Sequence, residues 1–300
     1  MPQIKANGLS FEYDITGKDG DEPILLIMGL GAQMTLWREP FLEKLAARGY
    51  RVIRFDNRDA GLSERLEALG PPDMGAVMTA YAEGRLAPAP YNLSDMAADA
   101  AAILSALGIE RAHIVGASMG GMIAQLVAAD HPEQTLSLTS IMSTTGNRAL
   151  PPAKPEAMAV LNTPAPDPRE NMEGYLASSL AASRVIGSPG YPTAEADQRA
   201  FAKSNAERSY YPVGFLRQYA AVLASPDRRP KLATLKVPAM VIHGEDDPLV
   251  PVEGGQDTAA NIPGAELVLV PGMGHDVPPA LYDTIIDAIV RVAQRAKADA

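Results

Sequence analysis

Six consecutive residues, Pro23-Ile24-Leu25-Leu26-Ile27-Met28, carry no polar side chain. A strand with one face in water alternates apolar and polar residues, and this run does not. It suits the centre of a sheet covered on both faces. Such a sheet needs helices on each side, delivered by crossovers between parallel strands. The question for the remaining chain is whether it supplies that alternation.

It does over most of its length. Residues 3–6 and 9–16 read as a hairpin, joined by Asn7-Gly8, a pair suited to the type I′ turn. Residues 41–48 form an amphipathic helix with Phe41, Leu42, Leu45 and Ala46 on one side, and Gly49 stops it. A strand at 51–56 follows. Asn92 or Ser94 caps a helix over 95–107, which Gly108 ends. Strands are predicted at 112–115, 136–142, 238–243 and 267–270, and a helix at 122–129. A final helix spans 279–297, with Leu281, Ile285, Ile289 and Val292 at helical spacing. The fold class is therefore α/β with a mostly parallel sheet.

The interval 145–231 breaks this rhythm. It opens on prolines (Pro151, Pro152, Pro155, Pro164, Pro166, Pro168), then offers helix-like pieces at 169–183, 193–209 and 213–224 without a clear strand. We read it as a helical cap inserted over the carboxyl edge of the sheet, where open α/β sheets bind ligands. The core then comprises 1–144 and 232–300. A second irregular stretch, 64–91, is expected along the same edge.

Composition narrows the function. The 300 residues are 47% hydrophobic, enough for a large core. There is no cysteine, which removes disulfides, thiolate metal sites and a cysteine nucleophile, and fits a reducing, cytoplasmic setting. The formal charge of −10, without a basic cluster, argues against nucleic-acid binding. The amino terminus shows no basic stretch followed by an apolar run, so no signal peptide is expected. No segment approaches the roughly 18 apolar residues of a membrane span.

Chemistry enters at Gly116-Ala117-Ser118-Met119-Gly120, between the strand at 112–115 and the helix at 122–129. A serine held between glycines in a strand–turn–helix is a nucleophile elbow. The turn is so tight that positions two before and two after the serine must lack bulk. Such a hydroxyl needs a base, and the base an orienting carboxylate. Of the four histidines, His113 falls inside a strand, His131 precedes a proline at a helix end, and His243 ends a strand. His275, in the glycine-rich loop Pro271-Gly272-Met273-Gly274-His275, is placed as an exposed base should be. The acid belongs between serine and histidine, where Glu245, Asp246 and Asp247 follow a strand. Asp247 is favoured because Pro248 rigidifies its turn and keeps its backbone extended; Asp246 is second choice. Donors for a developing oxyanion are the backbone N–H groups of Met119 and of Leu30, the latter between Gly29 and Gly31.

These motifs stand in the order Gly29-Leu30-Gly31, Asp56-x-Arg58-x-x-Gly61-x-Ser63, Gly116-x-Ser118-x-Gly120, His243-Gly244-x-x-Asp247 and Gly274-His275. The set resembles the α/β-hydrolase fold, over most of 1–144 and 232–300. Met28-Gly-Leu-Gly-Ala-Gln-Met-Thr-Leu-Trp37 is similar to bacterial aclacinomycin methylesterase-like and haloperoxidase-like hydrolases. The resemblance implies a mostly parallel eight-stranded sheet with a helical cap, and a mainly structural role for Asp56 and Arg58. Many members carry a histidine where this chain has Met28, which removes a side-chain support from the oxyanion loop.

The expected reaction is two-step ester hydrolysis by Ser118, His275 and Asp247, with no metal or organic cofactor and a small-molecule ester as partner. Met34 and Trp37 near Leu30, and Tyr175, Leu176, Tyr210 and Phe215 in the insertion, are the candidate substrate-binding residues. An apolar pocket of this kind suits a medium acyl chain or a bulky aromatic ester. Serine at the elbow argues against epoxide and haloalkane hydrolysis, which use an aspartate there. Lactone or amide cleavage, perhydrolysis and a non-catalytic binding role on the same fold are the competing readings.

Overall fold

The computed structural model describes residues 2–298, so Met1, Asp299 and Ala300, the outermost positions of the expected core, lie outside the described residues. The chain begins with β1 (Gln3–Ala6), β2 (Leu9–Thr16) and β3 (Glu22–Ile27), followed by α1 (Glu39–Ala47) and β4 (Tyr50–Phe55). Next come α2 (Met74–Ala82), α3 (Leu93–Ala106), β5 (Ala112–Ala117), α4 (Met119–Asp130) and β6 (Thr135–Ile141). Five helices follow: α5 (Pro155–Asn162), α6 (Met172–Ile186), α7 (Glu195–Arg208), α8 (Pro212–Ala224) and the short α9 (Arg229–Leu232). The chain closes with β7 (Ala239–Gly244), α10 (Glu253–Ala260), β8 (Glu266–Val270) and α11 (Tyr282–Ala298).

Among the described residues the strands form one eight-stranded sheet in the order β1-β2-β4-β3-β5-β6-β7-β8. The β1–β2 and β2–β4 pairs are antiparallel and the other pairs parallel. The opening turn is as expected: Asn7 and Gly8 take φ of 47° and 77°, the left-handed pair a type I′ turn requires. Asn92 is the residue that caps α3, accepting from the Ser94 and Asp95 N–H groups in a capping box with Asp95.

The apolar run sits where its composition demands. Ile24, Leu25, Leu26 and Ile27 are each 0% exposed on β3, between β4 and β5. Leu25 and Ile27 pack with Met96, Ile103 and Leu104 of α3 and Ile123 and Val127 of α4. Ile24 and Leu26 pack on the opposite face with Phe41 and Leu45 of α1 and Ile285 and Ile289 of α11. Each such fully buried side chain contributes roughly 1.5–3 kcal/mol. Because β4 lies on one side of β3 and β5 on the other, the connections diverge there and leave a crevice at the carboxyl ends of β3 and β5.

Four helices were not anticipated: α2 within the irregular stretch, α5 at the proline-rich entry, the short α9 after α8, and α10 after β7. In the insertion, α6, α7 and α8 occupy the positions expected, shifted by one to three residues.

Candidate active site

The elbow forms where β5 meets α4. Ser118 has φ 57° and ψ −122°, one of four non-glycine residues with positive φ among the described residues. A side chain in such a conformation costs about 1–3 kcal/mol and persists only where its surroundings enforce it. The surroundings are tight. A Cβ on Gly116 would lie 2.0 Å from the Gly120 carbonyl oxygen, and one on Gly120 would lie 2.1 Å from that of Ile27. Backbone contacts hold the turn as well: the Ser118 N–H donates to Ile141 O at 2.9 Å, and Ser143 Oγ donates to Ser118 O at 2.8 Å.

Two loops from the sheet edge complete a hydrogen-bonded chain. Ser118 Oγ lies 2.9 Å from His275 Nε2. His275 Nδ1 lies 2.7 Å from Asp247 Oδ2. An ionised carboxylate can only accept, so Nδ1 carries the proton and Nε2 is free to accept from the serine hydroxyl. Asp247 is itself fixed, its Oδ1 accepting from the Leu249 and Val250 N–H groups at 2.9 Å each. Asp246, the second choice, instead accepts from the Gly272 N–H at 2.8 Å, and Glu245 is exposed.

Among the described residues, the other histidines make no hydrogen bond to Ser118 or Asp247, although His243 Nε2 lies 3.7 Å from Asp247 Oδ2. His113 is buried on β5 beside Ser137 Oγ, at 2.8 Å. His131 follows the last residue of α4. His243 is fully buried, and its Nε2–H donates to Val250 O at 2.7 Å, bracing the loop that carries Asp247. Burial pulls the His243 imidazole below its ordinary pKa, favouring the neutral form. Asp276, next to His275, is pushed the other way by burial, partly offset by its hydrogen bond from Ser188.

The glycine loop after β3 lies over the elbow, since Ile27 pairs with Gly116 in the sheet. A Cβ on Gly29 would stand 3.1 Å from Ser118 Cβ and 3.5 Å from its Oγ. Among the described residues, neither the Leu30 N–H nor the Met119 N–H has a protein acceptor. Met119 adjoins Ser118 in the chain and Leu30 adjoins Gly29, so both N–H groups are candidates to bind an oxygen that gains negative charge.

The six candidate substrate-binding residues separate. Phe215 reaches the site's edge, its ring 2.6 Å from where a Gly31 Cβ would be. Tyr175 and Tyr210 pack edge to face at 6.1 Å, and Leu176 is buried in the insertion. Met34 and Trp37 are fully buried, Trp37 among core side chains against Phe41 at 5.2 Å. A cleft of about 480 Å³ opens between the insertion and the outer side of Asp246 and Asp276; Ser118 does not line it. No group of three or more His, Asp or Glu side chains suited to a metal occurs among the described residues.

Several residues around the site escaped the sequence reading. Ser188 donates to Asp276 and accepts from the Gly274 N–H at 3.0 Å, and the His275 N–H donates to Ile186 O at 2.6 Å. Gln218, 0% exposed, accepts from the Gly31 N–H at 2.7 Å. Its one signal in the sequence is polarity beside Arg217 in an otherwise apolar helix.

The alpha/beta hydrolase fold family model matches residues 22–278. This chain belongs to that family. Among curated relatives it is 29% identical to rhodomycin D methylesterase DnrP of Streptomyces peucetius over 293 residues, covering 91% of each chain. It is 26% identical to a putative carbamate hydrolase, RutD, of Variovorax paradoxus, covering 95% of this chain and 98% of that one. Among solved structures, the enol-lactonase of Burkholderia xenovorans superposes with a TM-score of 0.71 at 22% identity, covering 98% of this chain and all of the other. That last likeness is one of fold. The family assignment and the sheet agree with what the motifs implied.

Proposed function

We propose that this hydrolase cleaves carboxylic esters, with Ser118 as nucleophile, His275 as general base and acid, and Asp247 as the orienting carboxylate. The observation that carries the reading is the unbroken contact chain, 2.9 Å from serine to histidine and 2.7 Å from histidine to aspartate, ending at a serine held at positive φ. Ser118 Oγ attacks the ester carbonyl carbon while His275 Nε2 takes its proton. The negative charge on the carbonyl oxygen is received by the Leu30 and Met119 N–H groups. His275 returns the proton to the departing alcohol, leaving an acyl-serine. Water, deprotonated by His275, then releases the acid and restores the hydroxyl. Asp247 stabilises the imidazolium that forms in both steps.

The similarity to rhodomycin D methylesterase over nearly the whole chain supports an ester with a small alcohol and a bulky acid part. In this reading residues 145–231 form a cap over a core of 1–144 and 232–300, and Phe215, beside the Leu30 loop, touches the acid part. Replacing Ser118 by alanine lowers turnover of a p-nitrophenyl ester by about 10⁴-fold or more, with the melting temperature held, since alanine keeps the Cβ and the backbone of the turn. Retained turnover in Ser118→Ala sinks the assignment.

A further inference from the structure

We infer that Gln218, on α8 of the insertion, is the positioning residue that sets the oxyanion loop, so that the insertion is built into the transition-state machinery. The inference rests on the esterase reading above. It starts from the peptide units between Met28 and Ala32. Asn57 Nδ2 donates to Met28 O at 2.9 Å. The Ala32 N–H donates to Gly29 O at 3.2 Å, and that carbonyl belongs to the same peptide unit as the Leu30 N–H. The Gly31 N–H donates to Gln218 Oε1 at 2.7 Å. Every peptide unit flanking Leu30 is thus tied, and the Leu30 N–H, beside Gly29 over Ser118, is left without a protein acceptor among the described residues.

Gln218 is itself held. Its Nε2 donates to Arg58 O at 2.7 Å, so both ends of the amide are used and its orientation follows from the partners. Next to it, Arg217 forms a two-pronged ion pair with Asp59 at 2.6 and 2.8 Å, both side chains fully buried. One turn earlier, Phe215 closes on Gly31, whose φ of +66° and lack of a Cβ the contact requires. The helix therefore presents a rigid acceptor to a loop that can meet it only with glycine at that place.

The same loop is gripped again further along. Gln33 Nε2 donates to Asn205 O at 2.7 Å and Arg208 donates to Gln33 Oε1 at 2.6 Å. Thr35 donates to Asn205 Oδ1. Met28 offers no side-chain hydrogen bond of the kind a histidine would, and the loop is held by Asn57 of the core, by its own Gly29–Ala32 turn, and by Gln218, Asn205 and Arg208 of the insertion. The Gly31–Gln218 bond is half-buried, with Gln218 at 0% exposure and Gly31 at the surface, and an acceptor held that firmly fixes the Gly31 peptide, so loss of Gln218 frees that peptide to turn.

The test uses the full-length wild type, Gln218→Met and Gln218→Glu, with a p-nitrophenyl ester and with phenylboronic acid, a serine-bound mimic of the tetrahedral state. Methionine keeps the volume and removes both hydrogen bonds; glutamate keeps an acceptor for Gly31. For Gln218→Met we expect kcat to fall about 10- to 100-fold with KM within about threefold, short of the 10²–10³ for deleting a donor outright. Phenylboronate affinity falls by the same factor as kcat/KM, whereas the pH at which kcat/KM rises is unchanged. Gln218→Glu retains more of kcat than Gln218→Met at every pH. Wild-type kcat and boronate affinity in a folded Gln218→Met overturn the inference while leaving the esterase reading intact. If Gln218→Met does not fold, Gln218→Glu with the kcat of wild type and unweakened boronate binding upholds the acceptor role, and with both lost overturns it. A wild type that neither cleaves the ester nor binds the boronate removes both readings together.

Discussion

Two residues make opposite concessions for the site. Ser118 accepts a strained backbone so that its hydroxyl stands clear of the sheet. His243 accepts burial as a neutral ring so that the Asp247 loop is braced through Val250 O. With Nε2–H donating there, Nδ1 is bare and without a partner, and Gly255 is packed so closely that a Cβ would lie 2.5 Å from it. A second proton would have no acceptor. The folded protein therefore binds that proton less readily than the unfolded chain, and stability is present above the ordinary histidine value of 6.5 and lost as pH falls below it. His113, also lowered by burial, adds in the same direction. Urea titrations at pH 7.5 and 5.5 should show a lower midpoint at the acid pH, and a smaller drop in His243→Gln. Equal midpoints in the wild type would contradict this account of the ring.

Residues of this kind were unequally legible in the sequence. Ser118, Asp247 and His275, which the fold brings into one hydrogen-bonded chain, could be picked out because the nucleophile, base and acid proposed need particular side chains in a particular chain order. Gln218, Ser188 and Ser143 act through contacts to backbone groups far away in sequence, 187 residues in the case of Gln218 and Gly31. No local pattern encodes such a contact. Met34 and Trp37 show the converse: apolar residues near the site in sequence that the fold sends into buried positions.

At the level of elements, the strands were the easiest to see, since buried β3 and β5 are apolar but for Glu22 and His113 and glycines mark their exits. Helices with mixed composition were harder. α10 begins Glu253-Gly254-Gly255, poor in helix propensity, and packs against His243 and Ser143, where any larger side chain would clash. Tertiary contact overrides propensity there. α8 has a different dependence. It is joined to the core by the Asp59–Arg217 pair and by Arg217 donating to Gly70 O at 2.9 Å, while Tyr91 holds Asp59 in place by donating to its Oδ2 at 2.9 Å. Removing one partner strands a buried charge. Arg217→Ala should cost about 3–5 kcal/mol, read as a lowered denaturation midpoint. A cost under about 1 kcal/mol, the range of exposed pairs, would mean that the pair is solvated.

In the proposed reading, the molecule divides labour between a sheet that carries the chemistry and an insertion, residues 145–231, that holds it still. The central strand and the elbow meet in register, Ile27 opposite Gly116, which puts the glycine loop over Ser118. The insertion then clasps both neighbours of the serine: α8 binds the Gly31 loop, and the α6–α7 connection binds the His275 loop through Ile186, Ser188 and Gly190. This arrangement explains why the fold class could be read from alternating apolar segments while the details of the insertion could not. Its helices are specified by what they grip. The central claim is that Ser118 is the nucleophile, and covalent capture tests it most directly. A fluorophosphonate probe should add one phosphonyl group to the intact protein, mapped by peptide mass spectrometry to Ser118, and Ser118→Ala should stay unlabelled. Labelling at another residue, or ester turnover by a protein that the probe cannot inhibit, would contradict the account.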